Sequence, residues 1–547
     1  MKKTVISEIN DIFEEYLTNN NIEKVNFIVE KTKNNEWGDF STNIALVLAK
    51  SLKKNPMDLA KSISENINSD KIKKIEVTNP GFINLFLSDN YYNNLIKKAI
   101  ENKSKFGEFD QKDISYNIEF VSANPTGSLH IGHARNAALG STLANIWEKY
   151  GIIVDREYYI NDGGAQINRL GVAVLIRYKE LFNIKNELPE DSYHGEEPKW
   201  VAKELKEKYN DKFLNAKFDN VKIIDNEERK IINDFSKIFL MEKIKETLSN
   251  FRVHFDIYYP ESKIFDENLI EVALEKLKAH TFEKDGALWL RTTDFNDDKD
   301  RVLIKSDKEV TYFLPDICYH YEKLKRKNYD KIFDILGADH GSYVVRIAAA
   351  CSCLGYKDKL NGVIMQMVKL TKDGEPFKMS KRSGQSLTLN DLIESIGVDS
   401  ARWNLVSQSA NSHLDIDVTK AKQTDNSNPI YYVMYAHARI TQILNNSSSN
   451  INELDSSLLN HIKERELLNA IAYYPCLIEL IANNYEIHLL NSYLLKVASM
   501  FHSYYADVKV ITDDKKVSQQ RLNLINAIKS VIASGLKIME IIPLDKI

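Results

Sequence analysis

Asn117-Ile-Glu-Phe-Val-Ser-Ala-Asn-Pro-Thr-Gly-Ser-Leu-His130-Ile-Gly132-His133-Ala-Arg135-Asn136 is the stretch on which the reading of this chain turns. Ile118 to Val121 is short, apolar and β-prone, and Asn124-Pro125 and Gly127 bound it, so it is predicted as a strand followed by a loop. After Gly132 the period changes. Ala137, Ala138, Leu139, Leu143, Ala144 and Ile146 recur at helical spacing, and the pattern ends near Lys149-Tyr150-Gly151. A strand, a glycine-containing turn and a helix start present backbone N–H groups and the positive end of a dipole to a phosphate. At that helix start stand His130 and His133, with Gly132 between them. Two imidazoles at this spacing can donate hydrogen bonds to phosphate oxygens, where charge develops at phosphorus. Gly132 removes a side chain where a flat base could approach the backbone.

Far downstream lies Lys378-Met379-Ser380-Lys381-Arg382-Ser383-Gly384, a basic loop closed by glycine. Lysines three apart can reach a triphosphate as mobile point charges. In this order, the two motifs are the signature of the class I aminoacyl-tRNA synthetases. The flanks narrow the resemblance. Ser122 to His130, then Tyr159-Ile-Asn161-Asp162-Gly-Gly-Ala-Gln166-Ile167, then Asn428-Pro429-Ile-Tyr431-Tyr432-Val-Met-Tyr435-Ala436-His437-Ala438-Arg439-Ile440 all resemble arginyl-tRNA synthetase. The resemblance runs from about Glu30 to the C-terminus.

Length and composition agree with a protein of several domains. A chain of 547 residues exceeds one core. With 43% hydrophobic and 27% charged residues it has ordinary globular usage. The N-terminus Met1-Lys-Lys-Thr-Val-Ile-Ser-Glu lacks an apolar signal core and there is no run of 18 apolar residues, so neither membrane span nor export is expected, and a cytoplasmic location is. A net charge of −4 argues against a globally basic nucleic-acid binder, but a tRNA partner needs only a local basic face. The four cysteines, Cys318, Cys351, Cys353 and Cys476, do not have zinc-pair spacing and read as buried or incidental reduced thiols. No metal ligand set and no zinc are therefore expected.

The expected fold is multidomain α/β. Residues 1–108 read as a small α/β domain, with Glu8 to Leu17 and Asn43 to Leu52 as helices and Ile75 to Val77 and Phe82 to Leu87 as strands. Residues 109–370 alternate strand-like and helix-like segments, which predicts a Rossmann-like parallel-sheet catalytic domain with insertions. Its strands include Ile152 to Tyr159, Ile332 to Leu336 and Gly362 to Lys369; Glu227 to Asn250 and Asn268 to Ala279 are helices, and the polar piece from Asn183 to Ala216 reads as a surface insertion. Residues 371–424 form a stem carrying the lysine loop, and 425–547 carry amphipathic runs of an all-α helical bundle.

The resemblance implies an arginine–tRNA ligase. It activates L-arginine with ATP and Mg2+, releases pyrophosphate, and transfers arginine to the 3′-terminal adenosine of tRNA(Arg), with no organic cofactor. It implies that His130, His133, Lys378 and Lys381 are catalytic, and that Gly132, Asp339, His340, Met379 and Ser380 help hold ATP. It implies that Asn124 and Asn161 hold the amino and carboxylate groups of arginine. It implies that Glu261, Tyr312 and Asp316 take the guanidinium, a planar fork of five donors that asks for carboxylates. Tyr312 and Asp316, four apart, would share one face of a helix. The N-terminal domain is similar to one that contacts the tRNA elbow around its D-loop. The bundle is implied to bind the anticodon, with Tyr431, Tyr435, His437 and Arg439 offering ring faces and a cation, although Tyr432, Tyr435 and Ile440 also read as core at helical spacing. A monomer, and activation that requires tRNA, are further implications. Three other readings stay open at this point: another class I synthetase, a nucleotidylyltransferase sharing the histidine motif, and a silent RNA-binding paralogue.

Overall fold

The computed structural model describes residues 1–372, 374–377, 387–447 and 453–546. The chain folds as two compact units: Met1–Lys112 with Asn145–Gly151 and Gln423–Ile547, and Asp113–Ala144 with Ile152–Lys422.

The second unit is built on a five-stranded sheet whose strands all run parallel. In chain order they are β1 (Ser115–Glu119), β2 (Ile153–Ile160), β3 (Ile257–Pro260), β4 (Lys331–Gly337) and β5 (Leu360–Met365), and they lie in the order β5-β4-β1-β2-β3. Strand order reverses beside β1, so the loops leaving β1 and β4 diverge there and leave a crevice. The longer helices of this unit are α1 (Ile131–Lys149), α2 (Gly164–Glu180), α3 (Glu197–Tyr209), α4 (Asn226–Asn250), α5 (Phe313–Lys327) and α6 (Gly341–Cys353). Tyr259, Leu314, Ile317, Tyr319, Ile332, Ile347 and Cys351 meet in a buried cluster on one side of the sheet. All four cysteines are buried and unbridged.

Three details depart from the sequence-based expectation. The strand expected over Gly362 to Lys369 is two strands. β5 ends at Met365, and Val368–Lys372 belongs to another sheet, pairing in parallel with Leu414–Asp417. The break comes where the Gln366 N–H turns to the Ala410 carbonyl (2.9 Å) and its own carbonyl accepts from Arg135 (2.7 Å). The piece from Asn183 to Ala216 is not merely surface. It carries α3, and Val201, Leu205, Phe213 and Ala216 pack with Leu170 and Val174 of α2 and Ile232 and Leu240 of α4 into a core of their own. A three-stranded antiparallel sheet, Thr281–Lys284, Ala287–Leu290 and Arg301–Ile304, also lies in this unit, where only parallel strands were expected.

In the first unit, a four-stranded antiparallel sheet (Val29–Lys31, Phe40–Thr42, Ile72–Thr78, Phe82–Leu87) covers the first helices. The last four long helices are α7 (Pro429–Asn445), α8 (Ile462–Asn484), α9 (His488–Asp507) and α10 (Lys515–Ile538). Buried Glu464 of α8 accepts from Arg521 of α10 at 2.7 Å, and buried Asp39 accepts from Arg465 Nε at 3.0 Å, so each interior carboxylate has a cation. Among the described residues, no helix is long and apolar enough to cross a membrane.

Candidate functional site

β1 stops before the apolar run does. Phe120 and Val121 leave the sheet, and the chain folds into a γ-turn in which the Ser122 N–H donates to the Phe120 carbonyl (3.0 Å). Val121 at its centre has φ 67° and Ser122 has φ 39°. A β-branched residue in that region is strained and persists only where neighbours over-determine it. Asn136 of α1 does so: its Oδ1 accepts the Val121 N–H (2.7 Å) and its Nδ2 donates to the Ile335 carbonyl of β4 (2.8 Å). One side chain thus ties the ends of β1 and β4 on either side of the crevice. Arg135, fully buried, forks in the other direction to the carbonyls of Gln366, Ser409 and Ser412 at 2.7–2.9 Å.

The loop then enters α1. Main-chain bonds hold it: the Leu389 N–H donates to the Leu129 carbonyl (2.7 Å) and the Ile131 N–H to the Leu387 carbonyl (3.0 Å). His130 and His133 fold their rings onto the helix start. The His130 N–H donates to His133 Nδ1 (3.2 Å), the Gly132 N–H donates to His130 Nδ1 (3.0 Å), and the rings stack with centroids 3.7 Å apart. Burial pushes both imidazoles below their usual range, His133 to about 4 with His130 beside it as a second cause. Each ring is therefore neutral near pH 7, with Nδ1 accepting and the proton on Nε2. A Cβ on Gly132 would stand 2.8 Å from His130 Cε1, so glycine makes room for the folded-back ring.

Across the crevice, the acids collect. Burial pushes the Glu261 carboxyl up, and the charges of Asp316 and Asp162 add to it. Burial likewise raises Asp316, although the Tyr343 hydroxyl donates to it. Tyr159 stands by both acids, whose charges raise its hydroxyl after burial has done so. Beneath, Tyr319 and Lys323 each donate to Glu119 Oε2 at 2.7 Å, and Lys323 also reaches Asp334 (3.2 Å), which His320 holds at 2.9 Å. Glu261 and Asp316 are thus both pushed up, by burial first and by neighbouring acids second.

Of the residues singled out in the sequence, Glu261 and Asp316 are brought together. Tyr312 is not with them: it caps α5 from outside and is 95% exposed. Pro315 fits the first turn of α5, where an N–H has no helical partner. Asn124 lies on the loop after β1 and donates to Gln166 Oε1 (2.6 Å); Asn161 follows β2 directly. Asp339 and His340 lie in the short turn after β4, their side chains 3.3 Å apart and largely exposed. Lys378, Met379, Ser380 and Lys381 lie outside the described residues. Tyr159, Tyr343, Glu119 and Gln166 were not singled out as ligands. The signal for Tyr159 was its place two residues before Asn161; for Glu119 and Tyr343 single-residue patterns carried none. In the bundle, Tyr431, Tyr435 and Arg439, four apart on α7, form a ladder. The two tyrosine rings lie 6.3 Å apart and nearly parallel, and the Arg439 guanidinium sits over Tyr435 (4.5 Å) and over Tyr505 of α9 (5.2 Å). His437 faces the other way. It is 4% exposed, and its Nδ1 bonds the Leu544 carbonyl at 2.9 Å. Among the described residues, no group of three or more His, Cys, Asp or Glu is placed to hold a metal ion.

Comparison with known proteins matches three families along the chain: the arginyl tRNA synthetase N terminal domain over residues 1–87, the catalytic domain of tRNA synthetases class I (R) over 95–445, and the DALR anticodon binding domain over 433–547. The chain belongs to the arginyl-tRNA synthetase family. It is 47% identical over 556 residues to the arginine–tRNA ligase of Malacoplasma penetrans, covering 99% of each chain. It is 46% identical to that of Ureaplasma parvum, covering 96% of each. The arginyl-tRNA synthetase of Thermus thermophilus superposes over all of both chains with a TM-score of 0.76 at 18% identity, a likeness of fold. Family membership places the crevice between β1 and β4 in the matched catalytic region, and α7–α10 in or beside the matched anticodon-binding region.

Proposed function

We propose that the chain is an arginine–tRNA ligase, and the observation that carries the substrate assignment is the Glu261–Asp316 pair. In the first step a carboxylate oxygen of arginine attacks the α-phosphorus of ATP, and pyrophosphate leaves. In the second, the terminal 2′-hydroxyl of tRNA(Arg) attacks the adenylate carbonyl, and AMP leaves. Neither step needs an enzyme nucleophile; catalysis is positioning and charge stabilisation.

His130 and His133 are the donors at the α-phosphate. Their neutral rings, with Nδ1 engaged by the main chain, offer Nε2–H as the free donor. Gly132 keeps space for that arrangement and for adenine at the helix start. Asp339 and His340 take the ribose. Lys378, Met379, Ser380 and Lys381 bind the phosphates, the two lysines neutralising the departing pyrophosphate; this rests on sequence. Mg2+ bound to ATP would supply counter-charge to its phosphates. Asn124 and Asn161 orient the amino and carboxylate groups. Glu261 and Asp316 accept from the guanidinium; Tyr312, exposed at the start of α5, stays outside this pocket. A neutral analogue such as citrulline would leave those buried acceptors unpaired, which is how the pocket discriminates.

The tRNA spans further surfaces in this reading: the elbow on the N-terminal domain (1–108) and the anticodon on the bundle (425–547), where the Tyr431–Tyr435–Arg439 ladder offers stacking faces. His437 supports that face by fixing the C-terminal segment. The chain works as a cytoplasmic monomer. The test is pyrophosphate exchange into ATP with each of the twenty amino acids, with and without tRNA. Exchange with arginine alone is expected, and only with tRNA present. Exchange with another amino acid overturns the guanidinium pocket.

A further inference from the structure

Glu197 is the first residue of α3, in the inserted segment, far in sequence from any motif. Its Oε1 accepts two hydrogen bonds from one residue, the main-chain N–H of Ser128 (3.2 Å) and the Ser128 hydroxyl (2.8 Å). Ser128 lies two residues before His130. From Leu129 onward the loop is held by main-chain bonds to Leu387 and Leu389; before it, the Glu197 carboxylate takes over. The insertion that carries Glu197 is no loose appendage, because Val201 and Leu205 of the same helix are fully buried against α2 and α4. A rigid element thus grips the approach to the histidines. The grip forms one wall of a cavity of about 460 Å³, also lined by Leu129, Trp200, Lys243 and Thr247, so water reaches the carboxylate and the loop has space to move into once released.

We infer that Glu197 is a positioning residue for adenylate formation, holding Ser128 so that His130 and His133 meet the α-phosphate in register. The inference rests on the proposed reaction. Two bonds to one acceptor fix the position of Ser128, and small misplacements at a reacting centre are costly, so the effect belongs in kcat.

The test uses the full-length chain in arginine- and tRNA-dependent pyrophosphate exchange, with rates divided by titrated active sites and melting temperatures recorded alongside. Glu197→Ala is expected to lower kcat by about 10- to 100-fold, with KM for arginine unmoved. Glu197→Gln keeps an acceptor at Oε1 and is expected to restore most of the rate. Ser128→Ala keeps the N–H bond and is expected to lose less than Glu197→Ala, and the double variant no more than Glu197→Ala alone. Hydrogen exchange supplies a readout that does not depend on the reaction: the Ser128 amide is expected to lose protection in Glu197→Ala, while amides of α1 beyond Ala134 keep theirs. Unchanged protection at Ser128 overturns the clamp even if wild-type exchange activity is absent, an absence that would instead count against the ligase reading. Unchanged kcat per active site, or a Gln variant as slow as the Ala variant, overturns the positioning role.

Discussion

Replacing Lys323 by methionine tests the buried charge network under the acidic pocket. Lys323 has no exposed surface, and its ammonium lies 2.7 Å from Glu119 and 3.2 Å from Asp334. Burial pulls the lysine down, but Asp334 and Glu119 outweigh it and hold Lys323 above its usual range. Burial likewise works to raise Asp334, and Lys323 and His320 together hold it well below. Methionine keeps the length and removes the charge, leaving two interior carboxylates without the lysine, Glu119 with only the Tyr319 hydroxyl and Asp334 with only His320 of the partners described above. Removing one partner of a buried ion pair costs about 3–5 kcal/mol. For a cooperative unit of a few hundred residues that is a fall in melting temperature of about 6–20 °C. The sign with pH follows. In the wild type the depressed Asp334 contributes stability above its unfolded pKa and loses it only in strong acid. In the variant the lysine no longer offsets burial at Asp334, whose carboxyl rises, so the deficit is largest at neutral pH and shrinks as pH falls toward the carboxylate range. Thermal melts by near-ultraviolet circular dichroism from pH 5 to 8 read this directly. Adding Glu119→Gln and Asp334→Asn should recover most of the loss. A deficit below about 1 kcal/mol, or one equal at pH 5 and 8, would refute the account, because the lysine would then not be neutralising the acids.

Gly132→Ala should change stability by no more than about 1 kcal/mol, since helix propensity gained offsets the displaced ring; adenylate formation per active site should nonetheless fall at least about tenfold, as measured by pyrophosphate exchange. His133→Ala should slow that same step while the melting temperature stays within a few degrees; parallel loss of both would count against a catalytic role. Arginine binding should release protons on the acid side of neutrality and none in mildly alkaline solution, because the cation pulls down the raised carboxyls of Glu261 and Asp316; affinity should weaken as pH falls through their range. Calorimetry in two buffers of different ionisation heat detects the release. Affinity for tRNA should fall steeply with salt, the mark of phosphate contacts, and a flat response in filter binding would count against a local basic face.

The strand–loop–helix around His130 was legible because hydrophobic period changes from two to 3.6 across a glycine-containing turn, and that pattern survives without tertiary information. The four C-terminal helices were legible for the same reason. What escaped notice depended on long-range partners. Nothing local marks Val121 as a residue forced to positive φ, since Asn136 and Ile335 impose it. Tyr431, Tyr435, His437 and Arg439 were grouped by their ring faces and charge, which ignores the helix period: His437 stands two residues from Tyr435, and its ring turns inward to the C-terminal segment. Tyr312 and Asp316 have the spacing of a shared face, but the helix begins after Tyr312, so spacing alone could not bring it to the acids. The break after Met365 was hidden because Val368 and Leu370 continue the apolar alternation into another sheet.

Among the described residues, Arg135 reads main-chain oxygens alone, those of Gln366, Ser409 and Ser412. A carbonyl is the same whichever residue carries it, so this fork constrains the path of the segment opposite and leaves its side chains free. Substitutions at Ser409 or Ser412 should therefore pass nearly unnoticed, whereas inserting or deleting a single residue between them would slide the carbonyls out of the guanidinium plane. The segment is built to vary in letters and not in length.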